Sequence, residues 1–243
     1  MVAQAFSDQL QHVPKVVSRT RLRETTEAIK TIVLDGVVPT GTRLKEFDLA
    51  GALGVSRATV REAVRQLVHE GLLVHEPYKG LRVATVDDQG WLDLSEVRAA
   101  LEVIGAQRVA RMLTPEMDAE LDAAFQKLLT VRATGEVAAY HEAHIALHTL
   151  VQHLSGNAVL EQTWSILETR ARVALRVDYE TYPDLDRVAD HRVLLAAIRD
   201  GDPGVIDRAV HAHVIDNAIH QMDLRRQRQA RSNGEGEQDT ADL

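Results

Sequence analysis

The chain has 243 residues and no cysteine, room for one large domain or two modest ones, with no disulfide framework and no thiolate metal site possible. No apolar run reaches membrane-spanning length and the N-terminus, MVAQAFSDQLQHVPK, lacks a signal-peptide core, so a reducing cytoplasmic location is expected and a membrane partner is not. The net charge of −8 is unevenly divided: residues 1–86 hold 12 Lys/Arg against 9 Asp/Glu, while residues 87–243 hold 16 against 27, so the cationic surface belongs to the N-terminal part.

After about 15 weakly specified residues, TRLRETTEAIKTIVLDGVVPTGTRLK (20–45) reads as one amphipathic helix followed by a Gly-Val-Val-Pro-Thr-Gly turn. A second apolar run, LAGALG (49–54), ends at Gly54. After a tight turn, Ser56 caps a third helix whose first turns carry Arg57, Thr59, Arg61 and Arg65. Two short helices joined by a glycine-containing turn, the second offering cations and hydroxyls from its N-terminal end, predict a helix-turn-helix. Arginine suits such a helix because its planar fork bonds guanine edges and phosphates in bidentate fashion. Gly71 stops this helix, and two short β-rich runs, LLVHE and LRVATV, flank PYKG, predicting a hairpin whose Lys79 and Gly80 lie close to a phosphate backbone.

The segment AIKTIVLDGVVPTGTRLKEFDLAGALGVSRATVREAVRQLVHEGLLVHEPYKGLRV resembles the winged helix-turn-helix of the GntR family of bacterial transcriptional regulators over about 65 residues. The resemblance implies binding of double-stranded operator DNA through Ser56, Arg57, Thr59, Arg61, Arg65, Lys79 and Gly80, by a winged domain over 18–86. Two positions depart from the family pattern: Thr40 separates Pro39 from Gly41, and Phe47 stands where FadR-like members often carry a DNA-contacting arginine.

VDDQG (86–90) reads as a linker. From Trp91 onward the pattern is helical. Leu94, Val97, Leu101, Ile104 and Val109 mark one helix, ending before Thr114-Pro115, a helix start with proline in the first turn. Further helices are expected over 115–133, 136–157 (closed by Ser-Gly-Asn), 158–180, 181–203 (stopped by Gly-Asp-Pro) and 203–228. Six helices with short connections predict a bundle over 91–230. Aromatic residues are only 4% of the chain, so the core must rest on Leu, Val, Ile and Ala. From 231 to 243 apolar periodicity is lost and a disordered tail is expected. The fold class is therefore mainly α, a winged helix-turn-helix followed by an all-helical bundle.

Eight of the 11 histidines lie between 141 and 220. His144 and His148 are four apart and share one helix face, His191 follows Asp190 two helices on, and His213 lies midway along the last helix. Imidazoles from several helices of a bundle can converge on a metal ion, although for any one of them a solvated place on a polar face is the more usual outcome. HEAHI (141–145) does not make the metalloprotease HExxH, because its second histidine comes one residue early and Glu142 lies outside the His144/His148 pair. With no nucleophile or general-base constellation elsewhere, an enzyme is not expected.

This half is similar to the FCD ligand-binding domain of FadR-like regulators, in which D-x3-H, an acidic residue followed by His, and a final His hold a metal. The matching residues are HIALH (144–148), Asp190-His191 and AVHAH (209–213), with SGN (155–157) in its family place. His144 occupies the family's Asp position. The resemblance implies a divalent ion on His144, His148, His191 and His213, with Zn or Ni favoured over Mn or Mg because imidazole replaces a carboxylate. A site of three ligands with His144 as a spectator is the other reading, and His141 shares its face. The resemblance also implies a small organic acid effector beside the metal, held by Arg98 and lined by Asn157. Against this, Arg98 could simply pair with Glu102 at i, i+4, and Asn157 could simply end a helix. A homodimer is expected, since one winged module reads too few base pairs for useful specificity. A regulator whose histidines bind only a structural metal, with no effector, is the alternative.

Overall fold

In the computed structural model, which describes residues 19–181 and 188–239, the first helix, α1 (Arg19–Leu34), turns Thr25, Thr26, Ile29 and Val33 inward. That near four-residue spacing makes one stripe, and it packs on α3 (Arg57–His69), which buries Val60, Ala63, Val64 and Leu67 at helical period. Between them α2 (Glu46–Leu53) ends at Gly54, whose φ of +64° gives the left-handed cap that a side chain would strain. The chain then turns directly into α3, as the sequence predicts.

Strands β1 (Leu73–Glu76) and β2 (Gly80–Val83) pair antiparallel, from Leu73 opposite Val83 to Glu76 opposite Gly80. Leu73, Leu81 and Val83 point inward, and a bridge from Arg43 to Arg82 ties the turn after α1 to the hairpin. The wing is therefore held against its own unit.

The described residues divide into two units, the first reaching to His69 and including Leu73–Val83, the second comprising Glu70–Leu72 and the chain from Ala84 onward. The second is all helical: α4 (Asp88–Met112), α5 (Pro115–Thr134), α6 (Val137–Leu154), α7 (Ala158–Thr181), α8 (Val188–Asp200), α9 (Pro203–His211), a π-helical turn (Ala212–Asp216) and α10 (Asn217–Asp239). Val109, Leu128, Ile198, Ile206 and Val210 are wholly buried at its centre. Caps fix several boundaries: Thr114 accepts from the Met117 N–H at 3.3 Å and Asp202 from Gly204 and Val205 at 2.8 and 2.9 Å.

Three expectations need correction. VDDQG is not a linker throughout, because Asp87 accepts from the Gly90 N–H at 2.8 Å and so starts α4 at Asp88. The last helix is not regular, since a π turn interrupts it at Ala212–Asp216. The tail is not unstructured from 231, because α10 runs on to Asp239; once a helix is nucleated by packed residues it propagates cheaply through a run such as RRQRQAR. The start of the expected 181–203 helix, at 182–187, lies outside the described residues, as do 1–18 and 240–243.

Candidate functional site

The recognition helix is built as its sequence requires. The Ser56 Oγ accepts from the Thr59 N–H at 3.1 Å and also meets the Thr59 hydroxyl at 2.8 Å, so it caps α3. Arg57, Arg61 and Arg65 follow at four-residue intervals and are exposed, on one face that flanks the buried stripe. Arg61 reaches Glu46 at 3.5 Å and Arg65 reaches Glu62 at 2.5 Å, while Arg57 has no acidic partner among the described residues. Exposed pairs of this kind contribute little to stability. Lys79 sits exposed at the wing tip, 3.2 Å from Glu76, and Gly80 opens β2. Phe47 is exposed on α2 and supplies no charge there.

In the helical unit, four imidazoles from three segments converge. His144 and His148 come from one face of α6, His191 from α8 and His213 from the π turn. The His148 Nε2 lies 3.1 Å from that of His144, 3.2 Å from that of His191 and 3.0 Å from that of His213. All four side chains are buried, and one ring nitrogen from each lies within 4.8 Å of the others. The π turn matters here: its wider winding places His213 out of register with a regular helix, and such turns recur at functional sites. Asn217 braces the arrangement, its Nδ2 donating to both the Asp190 carboxylate and the His213 carbonyl at 2.8 Å.

Behind His148 stands a residue the sequence reading treated only as a partner for Arg98. Glu102 accepts from the Arg98 Nε at 2.6 Å through one oxygen and from the His148 Nδ1 at 2.9 Å through the other, all three side chains being buried. One turn further along α4, Gly105 lies against the end of the Gln152 side chain, itself one turn beyond His148 on α6; a Cβ there would come within 2.2 Å of the Gln152 amide oxygen. Burial alone would raise the Glu102 pKa, but the Arg98 charge, the His148 ring and the hydrogen bonds from both bring it down to about 2. The carboxylate thus takes the proton-bearing Nδ1 of His148 and leaves the Nε2 lone pair facing the other rings.

His144 is held well below the ordinary imidazole range, first by burial and then by the neighbouring His191 and His148 rings, and His148 is lowered by burial against the opposing pull of Glu102. Neutral imidazoles are the ligand form of histidine. One Nε2 lone pair cannot satisfy three converging ring nitrogens, whereas a single divalent ion satisfies all four, whose spacing of about 3.3 Å around zinc follows from bonds of 2.0–2.1 Å. The four histidines therefore fit a metal, and His144 stands among them.

Arg98 borders small cavities on both sides of the cluster. One is lined by Trp91, His144, His213, Asn217 and Gln221, the other by His148, Trp164 and Glu168. The Trp91 Nε1 has no hydrogen-bond partner among the described residues. Asn157 lies elsewhere in role: its Oδ1 accepts from the Leu160 N–H at 3.2 Å, capping α7, and it lines neither cavity. His141 is buried on α6 outside the converging set.

Residues 17–83 match the family model described as bacterial regulatory proteins, gntR family, and residues 93–216 match that of the FCD domain. The chain belongs to the GntR family, with an FCD domain. It is 28% identical over 182 residues to a protein of Paenarthrobacter nicotinovorans named "Probable D-xylose utilization operon transcriptional repressor", covering 75% of this chain and 80% of that one. It is 30% identical over 143 residues to the Nta operon transcriptional regulator of Aminobacter aminovorans, covering 58% and 67%. Among solved structures, Escherichia coli McbR/YncC shares the fold with a TM-score of 0.70 at 22% identity, over 86% of this chain and 100% of that one. As a GntR/FCD protein it is a DNA-binding transcriptional regulator and not an enzyme. No helix among the described residues is long and apolar enough to cross a membrane.

Proposed function

We propose that this regulator is a homodimer that binds palindromic operator DNA through two copies of α3 and its wing, and that a small organic anion in the FCD domain alters operator occupancy. The observation that carries the reading is the convergence of four buried histidine Nε2 atoms beside a buried arginine. His144, His148, His191 and His213 would hold one divalent ion, with zinc or nickel favoured by the all-nitrogen donor set. Bound there, the ion supplies an unneutralised positive charge that attracts an anion. Arg98 and the Trp91 Nε1 offer donors to a carboxylate from the same cavity. Because the cavity is lined from α4, the α6 histidine and the π turn, its filling biases how these segments pack. A coupling of about 1–3 kcal/mol is enough to change operator occupancy.

The test combines metal analysis of the purified protein with a thermal-shift screen of small carboxylates on the native chain and a His148→Ala, His191→Ala double variant. The variant is expected to lose the ion and the carboxylate shift while retaining specific DNA binding. A variant free of metal that still answers the carboxylate normally would remove the histidines from sensing.

A second reading, an ion that only braces the bundle, is favoured by the engagement of Arg98 with Glu102. It predicts stabilisation by metal with no carboxylate response at all, and no sensitivity of DNA binding to any carboxylate.

A further inference from the structure

The wing ends in a turn formed against the preference of one of its residues. The Lys79 N–H donates to the Glu76 carbonyl at 3.2 Å, closing a four-residue turn with Pro77 second and Tyr78 third. Tyr78 has a φ of +63°. Proline followed by a residue of positive φ is the pattern of a type II turn, whose third position suits glycine or asparagine. Among the described residues Tyr78 alone, glycines apart, adopts a positive φ, and for a bulky side chain that conformation is strained.

The ring returns nothing to the fold for this strain. Tyr78 has a relative exposure of 107%, so its aromatic surface is held fully in solvent at the tip of the hairpin. Beside it is Lys79, and behind it along the hairpin are Arg82 and the bridged Arg43; Glu76 pairs with both Lys79 and Arg82, so one carboxylate stands against three cations and the tip stays net positive. This is the cationic unit of the chain, and the same hairpin follows directly on the helix that carries Arg57, Arg61 and Arg65.

We infer that Tyr78 contacts operator DNA and contributes to its selection, its ring lying against the sugar edge of the minor groove beside the half-site read by α3. Nucleic acid is the partner that fits an aromatic ring set among cations. The ring packs on deoxyribose or wedges at a base step, and the hydroxyl donates to the acceptors that line the minor groove. The turn holds the ring outward, so little side-chain freedom is lost when DNA arrives. The inference rests on DNA binding by this unit and adds a contact that the recognition helix does not supply.

The experiment uses the full chain, with Tyr78→Gly and Tyr78→Asn as variants. The probe is a palindromic duplex enriched from a random pool by the native protein, with a scrambled duplex as reference. Both substitutions suit positive φ, so both variants are expected to melt at a higher temperature than the native chain. Both are also expected to bind the enriched duplex about tenfold more weakly, the loss of one good contact, with a smaller change on the scrambled duplex. Affinity for the enriched duplex within twofold of native overturns the inference. So does a lower melting temperature accompanying weaker binding, because the tyrosine would then be supporting the wing. A native chain that enriches no duplex would sink both this inference and the DNA-binding reading, whereas native binding with unaffected variants sinks only the role of Tyr78.

Discussion

Glu102 holds Arg98 with one carboxylate oxygen and His148 with the other, so a single side chain sets both the ring tautomer of a candidate metal ligand and the position of a candidate anion donor. Its charge also offsets part of the positive charge that an ion on four neutral imidazoles would bring, in a cluster that has no carboxylate of its own. Glu102→Gln keeps the shape and an acceptor oxygen but removes the charge. Zinc affinity, measured by competition with a chelator, is expected to fall by about 10–100-fold; an affinity unchanged within twofold would show that His148 needs no carboxylate behind it. Half of this arrangement was legible in the sequence. The i, i+4 pairing of Arg98 with Glu102 follows from helix geometry and is present, but the pair is buried beside the cluster and not on the surface where that pairing alone would place it. The link to His148, 46 residues away, was not legible, because spacing rules reach along one helix and not between helices.

At the scale of the element, α3 is the part most fully written in the sequence: its cap, its buried stripe and its arginine face all coincide, each reinforcing the others. The proposed DNA contact lies on its face of exposed guanidinium groups. Arg57, which has no acidic partner among the described residues, is the one best placed to be spent on DNA. Arg57→Ala is expected to cost roughly 1–3 kcal/mol of operator binding and to relax selection at one base pair, read by repeating duplex selection with the variant. Unchanged selection and affinity for both Arg57→Ala and Arg61→Ala would contradict recognition through this face. The π turn is the opposite case. VHAHVIDNAIH carries an unbroken helical pattern with no sign of the extra winding, which coincides with the packing of His213 toward His148. The early start of α4 was hidden for a related reason: Asp87 and Gly90 read as linker composition, and the cap between them is a matter of local backbone geometry.

For the whole molecule, the division of charge in the sequence becomes a cationic winged unit and an acidic helical one, and among the described residues only the second buries any histidine. His69 and His75 of the first unit are exposed, whereas His144 and His148 are buried and held below the ordinary value of 6.5, mainly by that burial. The unfolded chain takes up protons on these imidazoles as pH falls through 6.5, and the folded chain does not. The unfolded state then binds more protons, so the stability of the helical unit falls below that pH and is nearly level above it. Glu102, at about 2, stays ionised across this range and adds no slope. A divalent ion needs the same neutral rings. At about a hundredfold excess over its dissociation constant it would add roughly 2.7 kcal/mol, and because the folded rings stay neutral as pH falls through 6.5, protonation of the unfolded chain does not diminish that gain. Calorimetric melting at about pH 7.5 and about pH 5.5, with chelator and with added zinc, separates the two contributions. The chelated protein is expected to melt lower at the acidic pH, and zinc to raise both melts by a similar amount, with the change carried by the helical unit. A zinc gain that collapses at the acidic pH would mean that the folded rings do take up protons there, and no gain at either pH would leave the four buried histidines to be read as core.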